Sequence, residues 1–341
     1  MTQMSFLTNE PIGRRESLSG LLSIGLSLFT FSSRSEAERP TQVQDVYTKI
    51  SDDKRLLLCG GGQRPEAALA DFVERARKSA ELRADLSTSK SRDHIGAVST
   101  NILVIGWAKS DPARFYPAFK EQIAKYENCR TTLAPSRDET IKSESKREGF
   151  IQDIRKADGI FFLGGDQAGI MRVIDSHEAI RNELISFFNS GRATGGTSAG
   201  TAIMSNPMIN GYRPLNSFAQ VRLSESHSDV RICHGLGLCP KGVVVDQHGF
   251  SENLPGRSER MHLVTVATKS PVGIVVGEDG AAALTIEAKG SVTLSVLGGE
   301  IGLSLKRADG NGYQRTLLKS GEVLRLERYL QSSESALAEA R

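Results

Sequence analysis

The chain lacks a charge bias: 43 lysines and arginines stand against 40 aspartates and glutamates, a net charge of +3 over 341 residues. With that balance and no dense basic run, nothing supports a nucleic-acid partner. Cysteine is scarce. Cys59, Cys129, Cys233 and Cys239 form no C-x-x-C pair, which argues against a zinc ribbon. Cys59 ends the apolar run Leu56-Leu57-Leu58 and reads as a buried core thiol, while the sequence does not decide whether Cys233 and Cys239 are joined. No His-Glu-x-x-His spacing occurs, and Asp246-x-His248 alone is thin for a metal site. No metal or cofactor is therefore expected. No internal repeat is visible. Beyond the N-terminal stretch, no segment is long enough to span a bilayer, so no stable membrane insertion is expected of the mature chain.

The N-terminal stretch has the marks of a targeting segment. Arg14-Arg15 precede apolar residues from Leu18 to Phe31, and Ser35-Glu36-Ala37 fits a small-x-small cleavage site. The paired arginines fit a twin-arginine leader. Residues 1–37 are expected to be a signal segment, giving an exported protein, periplasmic or extracellular; if that segment is not a leader, the protein is cytoplasmic. Residues 38–54 form a polar lead-in, 55–328 one α/β domain, and 329–341 a frayed or disordered tail.

From residue 55 onward, strand and helix patterns alternate. Arg55–Cys59, Asn101–Trp107, Asp158–Leu163, Val243–Val245 and Pro271–Val276 read as buried strands. Residues 65–82 have helical spacing, and Phe115, Phe119 and Ile123 fall on one helical face. Ile170, Val173, Ile174, Leu184, Ile185 and Phe188 mark the apolar side of another helix. After 281 the pattern turns to short strands with tight turns. Alternation of this kind predicts an α/β fold, a mostly parallel doubly wound sheet with additional C-terminal strands. In such sheets chemistry gathers at the carboxyl ends of the strands. Residues 60–63, 164–167, 246–248 and 277–279 fall there.

A fifth cluster carries the nucleophile candidate. Gly196-Thr197-Ser198-Ala199-Gly200 is a Gly-x-Ser-x-Gly pentapeptide, the form of a nucleophile elbow, in which a tight turn lifts a serine hydroxyl clear of the backbone. The helix start behind it offers backbone N–H groups to an oxyanion. Such a serine needs a base, and the base an orienting group. Of the six histidines, His248 alone ends a strongly apolar strand. The orienting acid is Asp246 or Glu278. Gly164-Gly165-Asp166-Gln167 opens a helix and is a source of a second oxyanion donor. The glycine-rich turn 60–63 has Pro65 where a dinucleotide fingerprint needs glycine, so it is weak evidence of a nucleotide.

Taken together these runs resemble the cyanophycinase and dipeptidase E family of serine peptidases, which have a class I glutamine-amidotransferase-like sheet. The resemblance rests on Phe161–Gln167, Gly195–Met204, Gly235–Leu238, Val243–His248 and Gly273–Ala281. It implies Ser198 as nucleophile, His248 as base and Glu278 as third member, with the N–H groups of Gly165 and Ala199 at the oxyanion. It implies Gln167, Asp246, Gln247, Arg257 and Arg260 as substrate-binding residues, with an aspartyl peptide or a cyanophycin-like polymer as substrate. A homodimer is compatible with it. The match departs in four places: Gly249 stands as an insertion after His248, Pro255 replaces the first arginine of an expanded 251–256 segment, Gly277 replaces an acid, and Cys239 takes an apolar position.

Two other functions share parts of this pattern. An α/β-hydrolase esterase has the same elbow but the order serine, acid, histidine; the order Ser198, His248, Glu278 argues against it. An exported peptide-binding protein without turnover would explain the departures around 249–256 and 277.

Overall fold

The apolar runs form the middle of a sheet because branched residues buried on both faces suit parallel strands covered by helices. In the computed structural model, which describes residues 51–87, 98–210, 217–221 and 230–331, these runs are β1 (Lys54–Cys59) and, after α1 (Glu66–Ser87), β2 (Thr100–Ile105). There follow α2 (Tyr116–Ala124), β3 (Cys129–Leu133), α3 (Arg137–Lys142), α4 (Glu144–Lys156), β4 (Gly159–Phe162), α5 (Gln167–Ser176), α6 (Glu178–Asn189), β5 (Ala193–Thr197) and the single turn α7 (Ala199–Ala202). These five strands run parallel in the order β1-β5-β4-β2-β3.

Residue parity along each strand decides which layer it joins. Leu56, Leu58, Leu103, Ile105, Ile160 and Phe162 pack on one face with Phe150, Ile154, Ile174 and Phe187 of α4, α5 and α6. Leu57, Cys59, Ile102, Val104 and Phe161 pack on the other with Phe72, Val73, Phe119 and Ile123 of α1 and α2. Phe161 stacks on Phe119 at 4.3 Å and meets the edge of Phe72 at 5.6 Å. The doubly wound arrangement is therefore as expected.

The C-terminal half adds β6 (Met208–Asn210), β7 (Ser217–Val221), β8 (Val230–Cys233), β9 (Val243–Gly249), α8 (Arg257–Ala267), β10 (Val272–Gly277), β11 (Ala281–Ile286), β12 (Val292–Gly298), β13 (Glu300–Lys306), β14 (Tyr313–Lys319) and β15 (Val323–Arg325). Strands β11, β12 and β15 extend the main sheet antiparallel beyond β1. A second sheet has the order β14-β13-β10-β9, with β9 and β10 parallel. Its inner residues Val243, Val245, Ile274 and Val276 join the main core. Val244 and Val275 face the other way, into a cluster with Met261 and Val264 of α8.

Several local expectations change. The single helix leading to the elbow is two helices, broken at His177, whose backbone is extended at φ −140° and ψ 90°. The strand leading into the elbow is β5, a fully buried central strand built from Thr and Gly rather than from branched apolar residues. Phe115 precedes α2 and is exposed, while Phe119 and Ile123 are buried. Residues 327–331 are helical and Tyr329 is buried; the rest of the expected frayed or disordered tail lies outside the described residues. All four cysteines are free thiols. Burial pushes Cys59 up to about 12, with the Arg64 charge opposing the shift. The expected signal segment lies outside the described residues. Among those, no helix is long and apolar enough to cross a membrane.

Candidate active site

Ser198 sits where β5 ends and α7 begins, with φ 52° and ψ −116°. A non-glycine residue in such a region costs on the order of 1–3 kcal/mol and persists only where its surroundings enforce it. Three interactions enforce it here. The Ser198 N–H donates to Cys59 O of β1 at 3.0 Å. The buried Thr201 hydroxyl lies 2.8 Å from Gly196 O and 2.7 Å from Cys59 O, and accepts from the Cys59 N–H at 3.1 Å. Gly200 passes so close to β4 that a β-carbon on it would stand 2.3 Å from Phe162 O. The motif glycines are thus explained by chain approach.

The serine hydroxyl points at the base. Ser198 Oγ lies 2.8 Å from His248 Nε2. On the far side of the ring, His248 Nδ1 is 3.4 Å from Glu278 Oε1. At that distance the two groups face each other without aligned hydrogen-bond geometry. His248 owes its position to an irregularity in pairing. Asp246 faces Val275 and Gly249 faces Gly277, so β9 takes one more residue than β10 over this stretch, and His248 turns to φ 54°. A bulge of this type re-aims a side chain at a sheet end. The Glu278 N–H then donates to Gly249 O at 3.0 Å, binding acid to base through the backbone.

Burial, and then the charge of Arg257, lower the His248 pKa below its ordinary value, while Glu278 and Asp246 act in the opposite sense. The Ser251 hydroxyl, followed by the charges of His248 and Arg257, lowers Glu278 below the usual carboxylate range against the opposing effect of burial. A neutral imidazole between a hydroxyl and a carboxylate can accept the hydroxyl proton and share the resulting charge with the acid.

The other expected residues divide. Gly164 packs against the serine: a β-carbon on it would stand 2.9 Å from Ser198 Cβ. Gly165 follows at φ 143°, before Asp166 caps α5 through Ala168 N at 3.0 Å. Ala199 opens α7 directly after the serine. Gln167, expected in a substrate pocket, is 6 % exposed and donates from Nε2 to Ile209 O at 3.1 Å, tying α5 to β6. Asp246 is fully buried and held by Arg260 through Nε at 2.8 Å and Nη2 at 2.5 Å. Arg260 is thereby engaged within the protein. Arg257 Nη1 stands 3.7 Å from the same carboxylate. Gln247 donates its N–H to Asp246 Oδ1 at 2.9 Å, and its Oε1 is buried with no partner among the described residues.

Sequence reasoning placed the turn after β1 at a strand end but assigned it no part in the site. Its glycines make room for the site: a β-carbon on Gly60 would stand 1.7 Å from Gly277 O, and one on Gly61 2.2 Å from His248 Cε1. Gly60 O accepts the His248 N–H at 2.9 Å, and the Gly62 N–H donates to Glu278 O at 2.7 Å. The glycine run was the signal, and its position at a strand end shared with His248 and Glu278 was the clue.

The family model described as Peptidase family S51 matches residues 117–293, more than half of the chain and the part holding Ser198, His248 and Glu278. The cyanophycinase of Nostoc sp. (strain PCC 7120) is 30% identical over 215 residues, 58% of this chain and 64% of its own length. The chain thus spans just under two thirds of that relative. The cyanophycinase of Geminocystis herdmanii is 30% identical over 219 residues, 60% of this chain and 72% of its own. A solved peptidase from an acI-B1 Actinobacterium aligns over 80% of this chain and 96% of its own at 18% identity, with a TM-score of 0.48.

Proposed function

The chain belongs to peptidase family S51, and from that premise we propose that it is a serine peptidase acting on aspartyl peptides through an acyl-enzyme on Ser198. The observation that carries this reading is the 2.8 Å contact between Ser198 Oγ and His248 Nε2, with Glu278 behind the ring. His248 takes the hydroxyl proton as Ser198 attacks the scissile carbonyl, and later gives that proton to the leaving amine. The N–H groups of Gly165 and Ala199 hold the oxyanion, a contribution of roughly 3 kcal/mol per donor in comparable sites. Water then enters by the same route and releases the acid.

The relatives named cyanophycinase support an aspartyl substrate. Arg257 lends a positive charge beside His248 and Glu278, which suits a substrate carboxylate. Arg260 contributes by fixing Asp246, and the altered segment 251–256 points to isoaspartyl or aspartyl peptides beside the β-aspartyl-arginine polymer. The reading also carries residues 1–37 as an export segment, which N-terminal sequencing of the exported protein tests.

A fluorophosphonate probe is expected to label wild-type protein at Ser198 and to leave Ser198→Ala unlabelled. A panel of cyanophycin, isoaspartyl dipeptides and α-aspartyl dipeptides then identifies the substrate. Full hydrolysis by Ser198→Ala, or no labelling of the wild type, would overturn the assignment.

A further inference from the structure

An apolar cleft begins two residues along the chain from the base. Two residues beyond His248, Phe250 takes the left-handed φ of 61° and stands 48 % exposed. Its ring lies over Gly302 of β13, where a β-carbon would come 3.0 Å from Cζ. A large side chain is thus held partly in water, in an unfavourable backbone conformation, at the end of the strand that carries the base. Beyond the ring, between α8 and the β10-β13-β14 face, opens a cleft of about 310 Å³. Met261, Val275 and Leu303 line it, and Leu317, 42 % exposed, stands at its wall.

The polar groups of the cleft are largely matched to one another. Arg315 pairs with Glu259 at 2.9 Å, and His262 Nδ1 lies 3.0 Å from Ser304 Oγ. The cleft therefore presents apolar surface and no unopposed formal charge. The Ser258 hydroxyl is buried with no partner among the described residues, one hydrogen-bonding group suited to a peptide amide. A concave apolar site with a few polar groups is the usual form of a binding pocket.

Resting on the peptidase reading, we propose that this cleft binds a bulky apolar side chain, leucine or larger, of a peptide substrate extended beyond the scissile bond. An aspartate or arginine side chain finds no opposite charge left unpaired in the cleft, which therefore does not suit a purely charged polymer.

The test measures binding, which does not depend on turnover. Fluorescently labelled aspartyl peptides, extended by two to four residues with Leu, Ser, Glu or Arg at the distal position, are titrated against full-length Ser198→Ala. The Leu peptide is expected to bind about tenfold more tightly than the Ser peptide, as burial of one apolar side chain allows, with Glu and Arg no better than Ser. In Ser198→Ala/Leu317→Asp the Leu preference is expected to fall below twofold. Because Leu317 is on the surface, that change spares the core. Equal affinity for Leu and Ser peptides, a preference for Glu or Arg, or a Leu preference that survives Leu317→Asp would overturn the subsite. Labelling of wild-type Ser198 by the phosphonate probe reports separately on the peptidase reading, so the two failures are distinguishable.

Discussion

The imidazole of His248 rests on Gly61, with no room between them for a methyl group. A β-carbon on Gly61 would stand 2.2 Å from Cε1 and 2.6 Å from Nδ1, and the glycine itself has φ +147°. Gly60 and Gly62 of the same turn hydrogen-bond the backbones of His248 and Glu278. Base and acid therefore take their positions from one turn of β1, which is also the strand that anchors Ser198.

Gly61→Ala is expected to push the ring off the serine. A displacement of about 1 Å near the reacting atoms costs on the order of a hundredfold in rate. The measurement is kcat on the best aspartyl peptide together with the thermal midpoint. A folded variant retaining wild-type kcat would refute the role of the turn.

The pH profile should report the charges around His248. The imidazole serves as a base only when neutral, and burial followed by Arg257 lowers its pKa. The acidic limb of kcat/KM is therefore expected below the ordinary imidazole value of 6.5. Arg257→Gln removes a charge that lowers the pKa, so the limb should move to higher pH. Glu278→Gln removes a charge that raises it, so the limb should move to lower pH while kcat falls. Displacements in the same direction, or none, would contradict the electrostatic account.

How legible this was depended on whether a residue's surroundings lie near it in sequence. The strands Leu56–Cys59, Ile102–Ile105 and Val243–Val245 announced themselves because burial on both faces demands unbroken apolar runs. Strand β5 did not, because its Thr and Gly residues are chosen for the close approach of neighbouring chains at the elbow. Ser198, His248 and Glu278 were readable as ends of strands. The engagement of Asp246 by Arg260 was not: it depends on α8 packing across β9, and no spacing along the chain fixes which way either side chain turns. The function of the 60–63 turn was hidden for the same reason, since its partners lie some 190 to 220 residues away.

Thr201 is the hinge pin of the elbow. Its hydroxyl connects Gly196 O, Cys59 O and the Cys59 N–H in a site without solvent. Thr201→Val keeps the shape and removes every one of these bonds. Leaving buried backbone groups unsatisfied costs about 1–3 kcal/mol. Urea unfolding should show that loss, and phosphonate labelling of Ser198 should slow as the strained serine relaxes. Unchanged stability and unchanged labelling would show that the β1–β5 backbone holds the elbow unaided.

The pair formed by Asp246 and Arg260 offers the sharpest separation of structure from chemistry. Both side chains are buried, and the contact is bidentate. Removing only the arginine leaves the buried carboxylate with the Gln247 N–H and with Arg257 at 3.7 Å, so the expected cost is toward the lower end of the roughly 3–5 kcal/mol typical of a broken buried pair. Arg260→Leu should therefore destabilise strongly, and Asp246→Leu/Arg260→Leu should recover much of the loss, because an apolar pair no longer requires charge compensation. Activity should not follow stability. The Gln247 N–H is bonded to Asp246, and His248 is the next residue, so the double variant is expected to refold with a raised KM or lowered kcat. Urea unfolding of both variants, with steady-state kinetics on the double variant, checks this. Recovery of activity along with stability would make the pair a support of the fold alone; recovery of stability without activity would establish it as the anchor that sets His248 at the end of β9.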